Sequence, residues 1–295
     1  MLRRKIFRLT LPSRTLVLGE RTLVMGVLNL TPDSFWDGGQ YLDPDAAVAR
    51  ALEIERAGAD ILDVGGESTR PGSEGVSASE QLRRIVPVLE KLNGRLKIPL
   101  SIDTSQTEVA EAAVFQGAEI LNDVTALNLD PRLAAFAARS RLGMILMHMR
   151  STPRTMQTRP FPRDVLGEVL GGLRWSIAAA RRAGVRKSQI VLDPGIGFGK
   201  SAAQNYELLE KLPELARLGF PLLVGTSRKS FHAQAPGAAP DADRIWGTAA
   251  TVTASILAGA HLVRVHDVAE MVHVVRVADA VANPRSVATR AGRSK

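Results

Sequence analysis

Short β-branched runs recur along this 295-residue chain, and nearly every one stops at a carboxylate, an amide, an imidazole, a basic side chain or a glycine-rich turn. Residues 23–28 lead into Asn29-Leu30-Thr31-Pro32-Asp33-Ser34-Phe35, residues 100–102 into Asp103, and residues 120–121 into Asn122. Further on, Met147-His148 ends one run, Asp193-Pro194-Gly195-Ile196-Gly197-Phe198-Gly199-Lys200 follows another, and Arg264-Val265-His266-Asp267 closes the last. Two more clusters, Glu67-Ser68-Thr69-Arg70-Pro71-Gly72 and Ser227-Arg228-Lys229-Ser230, come after the runs at 61–64 and 222–224. Carboxylates accept from N–H edges, an amide both donates and accepts, and Arg and Lys hold anions. At the carboxyl ends of parallel strands all of these point into one crevice, the geometry of an α/β enzyme working at one rim.

The runs alternate with stretches of helical period. Strand-like segments at 23–28, 61–64, 99–102, 120–121, 144–147, 190–192, 222–224 and 262–265 are followed by helical patterns at 44–57, 78–92, 107–116, 131–139, 165–182, 203–212, 244–257 and 268–282. Asp43 before Pro44 reads as an N-cap with proline at the first helical position. Ser77-Ala78-Ser79-Glu80 is a capping box. Eight strand-plus-helix units in sequence predict an α/β fold, a closed (β/α)8 TIM barrel with its site at one end. An open doubly wound sheet is the alternative, but no nucleotide fingerprint stands at the first strand-to-helix turn. Residues 7–11 and 15–18 predict a short N-terminal β-hairpin ahead of the barrel. The whole chain, 1–295, reads as one domain, with a flexible basic tail from about 283 to 295.

Composition removes several classes of function. Cysteine is absent, which excludes disulfides, thiol catalysis and thiolate metal sites. No apolar run approaches the roughly 18 residues of a membrane span, and the basic start Met1-Leu2-Arg3-Arg4-Lys5-Ile6 lacks the apolar segment of a signal peptide. A cytoplasmic protein is expected. The net charge of +8 comes from thirty arginines and only eight lysines set against 30 acids. The arginines are scattered and the chain holds only two tyrosines, so no nucleic-acid partner is expected. Composition bias accounts for the charge, and a positive rim that attracts a small anionic substrate is the second reading.

Asn-x-Thr-Pro-Asp-Ser-Phe at 29–35, Glu-Ser-Thr-Arg-Pro-Gly at 67–72 and Ser-Arg-Lys-Ser at 227–230 occur in this order on this alternation of elements. The set resembles dihydropteroate synthase over nearly the whole chain. The resemblance implies condensation of 6-hydroxymethyl-7,8-dihydropterin pyrophosphate with 4-aminobenzoate, giving dihydropteroate and pyrophosphate on the route to folate. It also implies Mg²⁺ as the assisting ion and a homodimer built through the late barrel helices. On that resemblance Asp103, Asn122 and Asp193 pair with the donor and acceptor edge of the pterin. Lys229 reaches its carbonyl edge, Arg264 stacks on its face, and Val124 and Met147 pack its apolar side. Asn29, Thr69, Arg264 and His266 take the pyrophosphate, with Asn29 also a Mg²⁺ ligand. The 4-aminobenzoate lies among Phe35, Thr69, Pro71, Phe198, Lys229 and Ser230, the last expected at a helix N-terminus.

These residue types suit the chemistry. An unpaired heterocycle edge costs about 1–3 kcal/mol per group, so the contacts that bind a pterin also reject other rings. Arg264 and His266 are two apart, hence on the same side of a strand. In the family picture the pterin methylene loses pyrophosphate before the aniline nitrogen attacks, and Asp33, Lys229, Arg264 and His266 carry the catalysis by electrostatics and positioning. His148 reads as structural, and Gly195, Gly197 and Gly199 as a tight turn, because the segment lacks the P-loop pattern. A pterin-binding methyltransferase would share the barrel but have no use for Ser-Arg-Lys-Ser. An inactive pterin-binding paralogue would not need intact first and second loops.

Overall fold

The computed structural model describes residues 4–31, 36–37, 41–68, 73, 75–150, 155–156, 163–235 and 244–284. The hairpin comes first, with β1 (Phe7–Thr10) antiparallel to β2 (Thr15–Leu18). Eight parallel strands then build the barrel: β3 (Leu23–Asn29), β6 (Ile61–Gly65), β7 (Leu100–Asp103), β8 (Ala118–Asp123), β9 (Gly143–Met147), β10 (Ile190–Asp193), β11 (Leu223–Val224) and β12 (Leu262–Val265). They lie side by side in the order β10-β9-β8-β7-β6-β3-β12-β11, and a parallel bridge between Leu192 and Leu222 brings β11 back beside β10. The ring is closed. A pair not expected from sequence, β4 (Trp36–Asp37) with β5 (Tyr41–Leu42), lies in the loop after β3.

The helices follow their start signals. In α1 (Pro44–Arg56) the Asp43 carboxylate accepts from the N–H groups of Asp45 and Ala46. Ser77 accepts from Glu80 N–H at the head of α2 (Ala78–Leu92), and Asp164 accepts from Gly167 N–H at the head of α5 (Val165–Arg182). Between them run α3 (Thr107–Phe115) and α4 (Arg132–Arg139). The helix expected at 203–212 divides instead into α6 (Ala202–Glu210) and α7 (Leu212–Ala216). Pro213 opens the second piece, since a first turn accommodates its missing N–H and fixed φ. The last two helices are α8 (Arg244–Leu257) and α9 (Val268–Ala282).

Two apolar layers hold this together. The larger lies between the sheet and the surrounding helices. The smaller fills the amino end of the barrel, where Met25, Ile61, Ile120, Ile145, Val191, Leu223 and Leu262 meet Leu9, Leu11 and Leu18 of the hairpin. The hairpin therefore plugs the floor. Side chains two apart on a strand share a face, so the layer above this floor comes from Asp63, Asn122, Met147, Asp193 and Arg264. An oily base and a polar mouth follow from the same period-two pattern. At the seam, His261 Nδ1 accepts Leu222 N–H at 3.2 Å, while its Nε2 lies 3.0 Å from the Lys5 carbonyl. With Nδ1 accepting, the neutral ring carries its proton on Nε2 and donates it to Lys5.

Candidate active site

Arg264, on the inner face of β12, is gripped from two strands. Its Nε donates to Asp63 Oδ2 at 2.7 Å and its Nη2 to Asp103 Oδ2 at 2.8 Å. Asp63 has no exposed surface, and the same Oδ2 also accepts Asn122 Nδ2 at 3.1 Å. Two carboxylates thus fix the plane of the guanidinium, which leaves a rigid cationic face at the barrel mouth. Burial pushes the Asp103 carboxyl upward, and the Arg264 charge pulls it back toward the ionised form. Asp63 was not among the residues singled out from sequence, yet it orients both Arg264 and Asn122.

Asp193 ends β10 and accepts Gly195 N–H at 2.7 Å. Burial pushes its carboxyl up to about 6, against that hydrogen bond and the Lys229, Lys200 and Arg264 charges. Lys229 lies opposite, with Nζ 3.8 Å from the centre of the Phe198 ring, a cation–π contact. Its stem crosses Gly197, where an added Cβ would come within 3.0 Å of Lys229 Cδ. Burial lowers the Lys229 ammonium to about 8, as does the Arg264 charge, while Asp193 and Asp103 raise it. Beside these groups Val124, Met147, Met156 and Phe198 form one buried apolar cluster. The structure thus brings an acid and amide edge, a planar cation, an ammonium and an apolar wall to one end of the barrel.

Asn29 ends β3, half-buried, and Gly65 beside it leaves a gap: an added Cβ would stand 3.8 Å from Asn29 Oδ1 and 3.4 Å from Asp103 Cβ. His266 is oriented by Ser227, whose Oγ accepts the His266 backbone N–H at 3.2 Å and lies 3.1 Å from ring Nδ1. Burial, reinforced by Arg264, Arg228 and Lys229, lowers the imidazole to about 3. His266 therefore meets an anion as a neutral ring, not as a cation. Arg228, in the left-handed region at φ +59°, pairs through Nε with Asp267 at 3.0 Å and directs the chain into Lys229.

One expectation needs correction. Ser230 is exposed and opens a short 3-10 turn, Ser230–Gln234, in place of the helix expected there. The sequence leaves this open because 230–234 holds no signal separating a short turn from a helix start. His148 is lowered to about 3 by burial and by the Lys200 charge. Gly195, Gly197 and Gly199 all have positive φ, in keeping with a tight turn. Asp33, Phe35, Thr69 and Pro71 lie outside the described residues.

Comparison with known proteins places this geometry. Residues 25–266 match the family described as pterin binding enzymes. The dihydropteroate synthase of Synechocystis sp. is 48% identical over 263 residues, 89% of this chain and 91% of that protein. The solved structure of Xanthomonas albilineans dihydropteroate synthase with 4-aminobenzoic acid shares 43% identity at a TM-score of 0.86, covering 95% of this chain and 99% of that one. The same enzyme in complex with 7,8-dihydropteroate gives 42% identity and a TM-score of 0.82, covering 94% and 99%. This chain belongs to the pterin-binding enzymes, within the dihydropteroate synthase family.

Proposed function

We infer that this chain condenses 6-hydroxymethyl-7,8-dihydropterin pyrophosphate with 4-aminobenzoate to 7,8-dihydropteroate and pyrophosphate in folate biosynthesis. The observation that carries the reading is the convergence of Asp103, Asn122, Asp193, Lys229 and Arg264 on one buried apolar wall at the barrel mouth. Asp193 and Asp103 accept the pterin's N–H donors, and Asn122 completes the edge. Lys229 donates to the ring carbonyl, and Arg264 covers the ring face. In the reaction the methylene C–O bond breaks with its electron pair leaving on pyrophosphate, the aniline lone pair forms the new C–N bond, and the nitrogen then releases one proton to solvent to give the neutral secondary amine. Arg264 and the neutral His266 N–H receive the developing anion, and Asn29 binds its oxygens. To Asp33 the proposal gives the role of stabilising the cation that forms at the methylene. Phe35, Thr69, Pro71, Phe198 and Ser230 hold the 4-aminobenzoate.

Mg²⁺ fits as an ion that arrives with the substrate. No group of three or more His, Asp or Glu side chains suited to a metal occurs among the described residues, and Asn29 offers a single amide oxygen. Such a donor suits Mg²⁺, which keeps its waters and substrate phosphate oxygens as ligands. When bound there it would neutralise pyrophosphate charge. A homodimer belongs to the same proposal. Trp246 on α8 and Val277 and Val281 on α9 are exposed apolar side chains on two packed helices. Trp246→Glu combined with Val277→Glu should halve the mass seen in sedimentation; an unchanged mass rejects this face. No helix among the described residues is long and apolar enough to cross a membrane, and residence in the cytoplasm is part of the proposal.

The test is release of pyrophosphate from the purified chain. Release that requires the pterin pyrophosphate and 4-aminobenzoate together supports the reading. Release with the pterin substrate alone, or none with both, overturns it.

A further inference from the structure

Lys200 stands where the turn after β10 enters α6, and it is 4% exposed. Every partner of its Nζ is neutral: the carbonyls of Gly195 and Phe198 at 2.9 Å each, the carbonyl of His148 at 3.3 Å, and His148 Nδ1 at 3.2 Å. An ammonium has three protons to donate and nothing to accept, and here it meets a shell of acceptors. The turn is shaped for this. Gly195, Gly197 and Gly199 hold φ of +66°, +85° and +66°, and a Cβ on Gly195 would fall 1.9 Å from the His148 carbonyl oxygen. The glycines let the backbone wrap the ammonium and press against the end of β9.

The same turn carries parts of the substrate site. Asp193 opens it, Phe198 projects from it onto Lys229, and Gly197 supports the Lys229 stem. We propose that Lys200 is a positioning residue: its ammonium locks the turn onto β9, fixing Phe198 for 4-aminobenzoate and keeping a positive charge behind the Asp193 carboxylate. This rests on the functional reading above. Burial brings the Lys200 ammonium down to about 7, opposed by Asp193 and by Glu168 of α5 and assisted by Lys229. His148 stays neutral beside it. Asp193 in turn faces Lys229, Lys200 and Arg264. Raising the pH therefore removes a proton from the lock, and removing the lysine lets Asp193 protonate more readily.

The absence of cysteine makes a clean test possible. Lys200→Cys introduces a single thiol, which can be alkylated in denaturant and the protein refolded. Treatment with 2-bromoethylamine restores an ammonium on a side chain of lysine's length, and 1-iodopropane gives the neutral analogue. Pyrophosphate release is then followed against both substrates across pH. The propyl form should raise the KM for 4-aminobenzoate by at least about tenfold, with a smaller change in kcat. It should also move the acid limb for the pterin substrate to higher pH. The aminoethyl form should restore both, with its alkaline limb at lower pH than wild type because sulfur weakens the ammonium's hold on its proton. Matching profiles for the propyl and aminoethyl forms overturn the proposal. If the propyl form does not refold, an aminoethyl alkaline limb that coincides with wild type overturns it instead. An unmodified protein that releases no pyrophosphate with both substrates would fail the functional reading, a different result from either.

Discussion

Asp103, Asn122 and Asp193 were legible because each ends an apolar run, where a polar side chain has no packing reason to be. Asp63 was not. It sits inside Ile61-Leu62-Asp63-Val64, and there a single acid looks like an interruption of the strand. Only the inward period, which sets Asp63 on the same face as Ile61, marks it as facing the crevice. Asp103→Asn keeps the shape but removes the charge beside Arg264, and it should weaken pterin affinity by at least about 1.5 kcal/mol by calorimetry. Unchanged affinity rejects the assignment. The pH dependence divides the residues further. Asp193 accepts pterin N–H groups with both oxygens only when ionised, and burial pushes its carboxyl up to about 6. The kcat/KM for the pterin substrate should therefore rise with pH through that value. His266, lowered to about 3, takes no part in this limb, so His266→Gln should leave its midpoint in place. A midpoint near the ordinary aspartate value would contradict the burial argument.

At the scale of elements, α5, α8 and α9 begin and end where the helical period does, because the apolar stripe runs the length of each and, in α5, the Asp164 cap agrees with it. Boundaries slipped where tertiary contacts decide them. β8 extends from Ala118 to Asp123 although only 120–121 reads as a strand, since pairing with β7 and β9 recruits the flanking Ala118, Asn122 and Asp123, and a register shift carries the ladder past Glu119. The turn from Asp193 to Lys200 could be recognised from its glycines, but the ammonium at its centre could not. Such a lysine looks like any first-turn charge until the carbonyls around it are placed. Gly195→Ala tests the turn directly. It imposes a left-handed φ on a residue with a side chain and drives a Cβ into the His148 carbonyl. Unfolding in urea should show a loss of more than about 2 kcal/mol, counting strain and contact together. A loss below about 0.5 kcal/mol, the range of a neutral surface change, would mean the turn is not held as described.

For the molecule as a whole, the count of strand-plus-helix units was enough to predict a closed ring, while the plugging of its floor by the hairpin shows only in three dimensions. The seam follows from that plug. His261 serves both the hairpin leader and the chain entering β11, and burial lowers its imidazole to about 4. A folded value below the unfolded value of about 6.5 means the group stabilises the fold above that pH and loses this contribution as pH falls toward 4. His261→Gln should therefore lessen the acid sensitivity of unfolding by about 1 kcal/mol between pH 7 and 5.5. An unaltered slope in urea titrations at the two pH values would count against it.

That histidine bears on how the cylinder would come apart. Its ring accepts the Leu222 amide, and Leu222 bridges to Leu192, whose N–H bonds the Pro221 carbonyl, where the last stave meets its neighbour. A proton added to Nδ1 displaces that amide and slackens the join from beneath. Acid should then unzip the circle between β10 and β11 before any other pair of staves lets go, and the Leu222 amide should exchange its hydrogen ahead of those deeper in the wall.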